Sequence, residues 1–312
     1  MKIASIKLVG GFTPVLVALL LVASFLMDQM VPQAGAWALV GLTLTAGFVH
    51  GALDAALLQR RFRAPLQLMA VLTGYLLAVV FLGWLLGSML NAALWLLILM
   101  SVWHFGESYG RWSNLAPRAA NLTRAVVGGA PVLLPVWLAP DAFARALAPI
   151  VDTLAVDVWR PMAVLWLALL IVWALAYGFR QASAARYAWA ELLGCAAAYL
   201  VFSPLMAFAL YFGAYHAPVH IWRVWRSWTA SDPSPALKPA VVLTGLVATL
   251  FATWSLGGVL WWLLSPDWTT PPEPAAALQW VIVALAAVTA PHLVLISAST
   301  AFFAGRKHLG ST

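Results

Sequence analysis

Between Leu66 and Ser88 the chain reads LQLMAVLTGYLLAVVFLGWLLGS, twenty-three residues without one charge. A helix that crosses the roughly 30 Å hydrocarbon layer of a bilayer needs about 20 such residues. A helix that is apolar all round its circumference belongs in lipid or in a large core. Working outward from this stretch, ten apolar segments can be read: Leu8–Met27, Gly35–Leu58, Leu66–Ser88, Asn91–Tyr109, Leu122–Leu138, Pro161–Arg180, Tyr187–Phe202, Pro204–Arg226, Lys238–Leu264 and Ala277–Phe303. Gly128, Gly129, Pro131 and Pro135 interrupt the fifth. The seventh and eighth meet at Ser203-Pro204, which leaves one long bent helix open as an alternative to two. Eight to ten spans is the resulting range.

The composition agrees. Of 312 residues, 64% are hydrophobic and 9% charged, and the mean hydropathy is +0.92. Soluble domains carry about 25% charged residues, so a soluble enzyme, a disordered chain and a nucleic-acid-binding domain are excluded. Apolar runs of helix-spanning length, rather than short alternating strands, also set aside a membrane barrel. The expected fold is an all-α, polytopic membrane helical bundle, a single domain over 1–312. The lone cysteine, Cys195, excludes an internal disulfide.

The net charge of +7 is read through topology. With ten spans and the N-terminus in the cytoplasm, fifteen of the seventeen basic residues fall on the cytoplasmic side, and only Arg145 and Arg160 fall outside. Such a bias is what the positive-inside rule demands. It favours ten spans with both ends inside, in the cytoplasmic (inner) cell membrane. Ala34-Gly35-Ala36 resembles a signal cleavage site, but the preceding apolar run is too long and Asp28-Gln29 interrupts it, so the first segment is read as a membrane helix.

Ionisable groups inside a membrane are costly and mark function by default. His308 lies in the basic tail, but His50, His104, His216, His220 and His292 all fall inside apolar segments. They sit on the second, fourth, eighth and tenth segments, 15, 13, 12, 16 and 15 residues from the respective starts. At about 1.5 Å per residue, that places all five roughly 18–24 Å below the outer surface, in one thin slab. His216 and His220 are i, i+4, so their rings leave one helical face. One helix giving two imidazoles and others giving one each at matching depth is a metal-site pattern, and imidazole suits iron, zinc, copper and nickel. The ordinary explanation of a lone intramembrane histidine is an interhelical hydrogen bond. It remains a strong alternative for His292, which follows Pro291.

Asp54 is i+4 from His50 and Glu107 is i+3 from His104, so both are candidates for orienting a histidine from behind. The alternative is pairing with Arg60, Arg61 or Arg111 near the cytoplasmic mouth. Glu191, one turn inside the seventh segment, reads as snorkelling or paired with Arg186. Phe105, Tyr211 and Tyr215 are the aromatics chosen as pocket residues, while Trp261, Trp262 and Trp268 read as interfacial anchors. Gly47, Gly51, Gly106 and Gly213, each within a turn of a histidine, suit close helix contact or close approach by a ligand.

The motifs occur in order: Phe48-Val49-His50-Gly51-Ala52-Leu53-Asp54, then Ser101-Val102-Trp103-His104-Phe105-Gly106-Glu107, then Tyr211-Phe212-Gly213-Ala214-Tyr215-His216-Ala217-Pro218-Val219-His220, then Pro291-His292. This resembles the bacteriorhodopsin-related-protein-like (Brp/Blh) family of carotene-cleaving dioxygenases, across a motif-bearing core of about residues 40–303. The resemblance implies an integral membrane β-carotene 15,15′-dioxygenase, using non-haem Fe(2+) and O2 to split β-carotene into two molecules of retinal. It carries the iron-ligand role to His50, His104, His216 and His220, and leaves His292 as pocket or support. Members of the family it resembles often have an acidic residue where this chain has Tyr109, which puts any role of that acid, and with it substrate choice, in doubt. A lipid-soluble carotenoid substrate, the bilayer and a retinal-using rhodopsin are the implied partners. Two other classes compete: a haem-binding membrane cytochrome, against which the i, i+4 pair argues, and a histidine-dependent proton or small-molecule transporter.

Overall fold

The computed structural model describes residues 12–31, 33–47, 51, 54, 58–59, 62, 64–107, 117–148, 154–180, 182–223, 247, 255 and 273–309. His50, Tyr109, Arg111 and most of the ninth apolar segment lie outside these residues. The regular structure described is entirely helical. Helix α1 is Phe12–Met30, α2 is Ala34–Leu42, α3 is Pro65–Gly87, α4 is Leu90–Phe105 and α5 is Pro117–Leu138. They are followed by α6 (Pro140–Leu147), α7 (Leu154–Trp173), α8 (Ala182–Val201), α9 (Pro204–Ala209) and α10 (Pro274–Leu309). Three π-helical segments, Thr43–Gly47, Ala174–Gly178 and Leu210–His216, continue α2, α7 and α9.

Among the described residues, four helical stretches are long and apolar enough to cross a membrane: Pro65–Gly87, Arg118–Leu138, Trp159–Gly178 and Pro274–Leu295. Three shorter apolar helices, Val17–Met30, Ala34–Gly47 and Leu90–Phe105, accompany them. The exposed faces match that environment. Leu76, Leu77, Val80 and Trp84 on α3, Leu193 and Leu200 on α8, and Val294 on α10 all point outward. In water such surface is unfavourable at about 25 cal/mol per Å²; acyl chains remove the penalty. The helices therefore belong in a membrane.

Helix α5 forms the middle of the bundle, packing against α4, α7 and α8, while α10 packs on α3 and α4 and α9 packs on α2. The sequence reads the fifth segment as interrupted, yet α5 runs unbroken through Pro131 and Pro135. Proline removes the N–H that would bond the carbonyl four residues earlier, so Pro135 deprives the Pro131 carbonyl of its helical donor. The buried Tyr199 hydroxyl on α8 donates to that carbonyl instead. Neighbouring donors of this kind let a membrane helix carry proline. Further ties converge on α5: Trp166 Nε1 donates to the Val126 carbonyl at 2.9 Å, and Trp173 Nε1 to Thr123 Oγ1 at 2.8 Å.

The seventh and eighth apolar segments resolve into two helices. Ser203 leaves the helical region at φ −58°, ψ 152° and caps α9. Asp28 of α1 accepts from the Ser203 backbone N–H at 2.5 Å and from its hydroxyl at 2.6 Å, fixing α1 to the start of α9. Small residues then let the elements that carry the site close up. A Cβ on Gly106 would fall on the backbone of Arg124, and one on Gly128 would fall on the Val102 carbonyl. Helices α4 and α5 thus touch backbone to backbone beside His104. Gly213 likewise lies against Leu42, and Gly47 against the Phe212 ring, joining the π-helical parts of α2 and α9.

Candidate metal centre

The site is built where the end of α4, the π-helical continuation of α9 and the middle of α10 meet. His104 stands two residues before the Gly106 contact with α5. His216 ends the π-helical segment, and residues 217–223 continue it as an α-helix carrying His220. One ring-nitrogen atom from each of His104, His216 and His220 falls within 4.8 Å of the others. The Nε2 atoms of His104 and His216 are 3.3 Å apart. Ring centroids are separated by 5.0 Å for His104 and His216, 5.4 Å for His104 and His220, and 5.9 Å for His216 and His220. His104 and His216 are buried and His220 is half-buried.

His292 lies beside this group, against His104 and His220. Its ring centroid is 5.1 Å from that of His104 and 5.8 Å from that of His220. Four of the five intramembrane histidines named from sequence therefore come together, and the fifth, His50, is outside the described residues. The donor set is chemically coherent: imidazoles from three parts of the fold, converging in an apolar bundle, are suited to a divalent first-row transition metal.

The carboxylates take places that sequence spacing only partly foresaw. Asp54, considered as an i+4 partner of His50, has its two oxygens 2.8 Å from His292 Nδ1 and accepts from the Tyr75 hydroxyl of α3 at 2.9 Å. Glu107 lies 3.8 Å from His104 Nδ1, as its i+3 spacing suggested, and 4.0 Å from Arg124 Nη2. Arg124 is the residue that the sequence reading missed. Counted there as a cytoplasmic charge, it is buried on α5, donates from Nε to the Trp103 carbonyl at 2.9 Å, and places its guanidinium 3.4 Å from the centre of the Trp103 ring. Its only sequence signal was its position two residues inside an apolar segment.

Around the imidazoles lies an aromatic layer. The buried Phe105 ring meets His216 edge-on at 4.6 Å and Tyr211 at 5.3 Å. Tyr211 donates to Glu191 Oε1 at 2.8 Å and Tyr215 donates to Glu191 Oε2 at 3.2 Å. Glu191, read as a snorkelling residue or a partner of Arg186, is thus a buried acceptor that holds two of the expected pocket tyrosines. Beyond His104, one turn back along α4, Ser101 borders an open apolar cleft, with Leu97, Ile98, Tyr199, Phe208 and Ile282 among its walls.

Comparison with known proteins can now be set beside this geometry. The family model for beta-carotene 15,15'-dioxygenase matches residues 40–299, most of the chain and all of the residues just described. The chain belongs to the beta-carotene 15,15'-dioxygenase family. Within this family it is similar to the beta-carotene 15,15'-dioxygenase of an uncultured marine bacterium 66A03, 28% identical over 272 residues, covering 83% of this chain and 92% of the relative. It is also similar to the probable beta-carotene 15,15'-dioxygenase Blh of Halobacterium salinarum, 29% identical over 301 residues, covering 85% of this chain and 84% of that one. No solved structure gives a significant match. As a dioxygenase family, it implies O2 as co-substrate, and the histidine cluster is the place where a metal fits.

Proposed function

We propose that this protein is a membrane carotenoid dioxygenase that cleaves β-carotene at its 15,15′ double bond with O2 to give two molecules of retinal. The observation that carries the reading is the convergence of His104, His216 and His220 within 4.8 Å in a chain of this family. The balance is complete without another reactant: one carbon–carbon double bond is broken, and each half takes one oxygen atom as an aldehyde.

His50, His104, His216 and His220 are the proposed ligands of a non-haem Fe(2+), by residue-for-residue correspondence with the family motifs. Reduced iron held there would supply the binding and activation of dioxygen. The rest falls to the protein's own side chains. Phe105 and Tyr211 wall the cluster on one side and shape the approach of a polyene. The apolar cleft beside Ser101 offers no charge, so it suits one hydrocarbon arm of the substrate. Holding one double bond against the reacting centre converts affinity along the chain into selection of a bond. Glu107 and Arg124 keep the α4 end in place behind His104.

In this proposal residues 1–312 form a single domain in the inner cell membrane, with ten spans and both ends cytoplasmic, supported by the basic-residue bias. A carotenoid enters from lipid, and a rhodopsin is the natural consumer of the retinal. The i, i+4 spacing of His216 and His220 argues against the haem alternative, because two ligands from one turn cannot sit on opposite faces of a porphyrin. Expression in β-carotene-producing cells tests the function. Pigment should bleach and retinal accumulate, and His216→Ala should abolish both. Unchanged carotene beside folded, iron-loaded protein would overturn the proposal.

A further inference from the structure

The surroundings of His292 distinguish its two ring nitrogens. Nδ1 lies 2.8 Å from both oxygens of Asp54, and the Tyr75 hydroxyl donates to the same carboxylate at 2.9 Å. Both His292 and Asp54 are buried. A carboxylate only accepts, so this bond needs the proton on His292 Nδ1 and puts the lone pair of the neutral ring on Nε2. The ring stands as near to His104, at 5.1 Å, as the His216 and His220 rings do, at 5.0 and 5.4 Å. A carboxylate on one imidazole nitrogen with a metal on the other is the usual arrangement of a ligating histidine. A tie between helices would be satisfied by any donor to Asp54; it does not account for an imidazole ring set against two others, His104 and His220.

We propose that His292 is a metal ligand of this centre through Nε2, and that Asp54, clamped by Tyr75, is the positioning residue that fixes its tautomer. The proposal rests on the metal-centre reading given under Proposed function and extends it. The site then draws on α10 as well as on α4 and the α9 continuation, and reaches through Asp54 to the lipid-facing helix α3. The Tyr75 hydroxyl reaches inward from a helix whose apolar window is largely exposed.

The test uses the full chain in detergent, stripped of metal and reloaded with Co(II), with affinity read by chelator competition and the ligand field by the visible d–d bands. His292→Gln should weaken cobalt binding at least tenfold and shift the bands, and added imidazole should restore the bands in His292→Gly. Asp54→Asn should weaken binding by about 10–100-fold, the usual effect of losing such a partner. Tyr75→Phe should have a smaller effect in the same direction. Wild-type affinity and bands in folded His292→Gln would overturn the inference. If His292→Gln does not fold, unchanged affinity and bands in both Asp54→Asn and Tyr75→Phe would overturn it instead. Failure of wild type itself to bind cobalt or iron would strike the metal-centre reading. Loss of binding in His104→Ala with none in His292→Gln would leave that reading standing and remove this one.

Discussion

Replacing Arg124 by Met should destabilise the protein severely, and replacing Glu107 by Gln in the same chain should recover much of the loss. The guanidinium is buried, and its neighbours include the Trp103 carbonyl at 2.9 Å, the Trp103 ring at 3.4 Å and the Glu107 carboxylate at 4.0 Å. Taking away one member of a buried ion pair costs about 3–5 kcal/mol, because the remaining charge keeps its burial and loses its compensation. Methionine fills much of the volume and keeps the aliphatic part of the stem, so the cost is mainly electrostatic. In the double variant Glu107→Gln removes the carboxylate charge that Arg124 faced. What stays lost is the hydrogen bond to the Trp103 carbonyl, about 1–3 kcal/mol, and the cation–π contact. The assay is a double-mutant cycle by thermal or denaturant unfolding in detergent, following helical circular dichroism. A coupling energy of roughly 2 kcal/mol or more is expected for such a network. An Arg124→Met protein as stable as wild type, or a double variant no more stable than Arg124→Met alone, would refute the reasoning.

Three other outcomes follow from the geometry. Tyr199→Phe leaves the Pro131 carbonyl without the hydroxyl that replaces its helical donor, so unfolding measurements should show a loss of about 1–3 kcal/mol, with retinal formation retained at low temperature. Gly106→Ala puts a methyl group on the Arg124 backbone, which no rotamer can relieve; purified variant should show less folded protein and lower iron content, whereas Gly74→Ala, where a Cβ meets nothing within 4 Å, should match wild type. Leu97→Trp narrows the apolar cleft one turn and more from His104, so retinal output should fall while iron content, measured by elemental analysis, stays at the wild-type level.

The residues legible in sequence were those that violate the solvent. A histidine in a twenty-residue apolar run is conspicuous, and an i, i+4 pair declares its shared face, so His104, His216 and His220 could be grouped before any coordinates. His292 could not be tied to its carboxylate, because Asp54 lies 238 residues away and a local pattern offers His50 as the nearer partner. Arg124 was hidden for the opposite reason. Basic residues near span ends are normally cytoplasmic anchors, and only the close contact of α4 with α5 makes this one internal. The same blindness affected α5: prolines weaken a helix by local rules, and the hydroxyl that compensates comes from α8. The short helix α6, with Asp141 in its first turn and Arg145 in its last, was too short and too polar to register as an apolar segment. The π-helical segments have no sequence periodicity of their own, although one of them delivers His216.

The central claim is that intramembrane imidazoles hold one iron. X-ray absorption at the iron K-edge of the purified, ferrous-loaded protein addresses it directly. The account predicts one iron per chain with a nitrogen shell near 2.1 Å, the usual metal–imidazole distance of roughly 2.0–2.1 Å. It also predicts outer-shell scattering from at least three imidazole rings, diminished in His104→Ala. An oxygen-only shell, or scattering unchanged by His104→Ala and His216→Ala in folded protein, would contradict it.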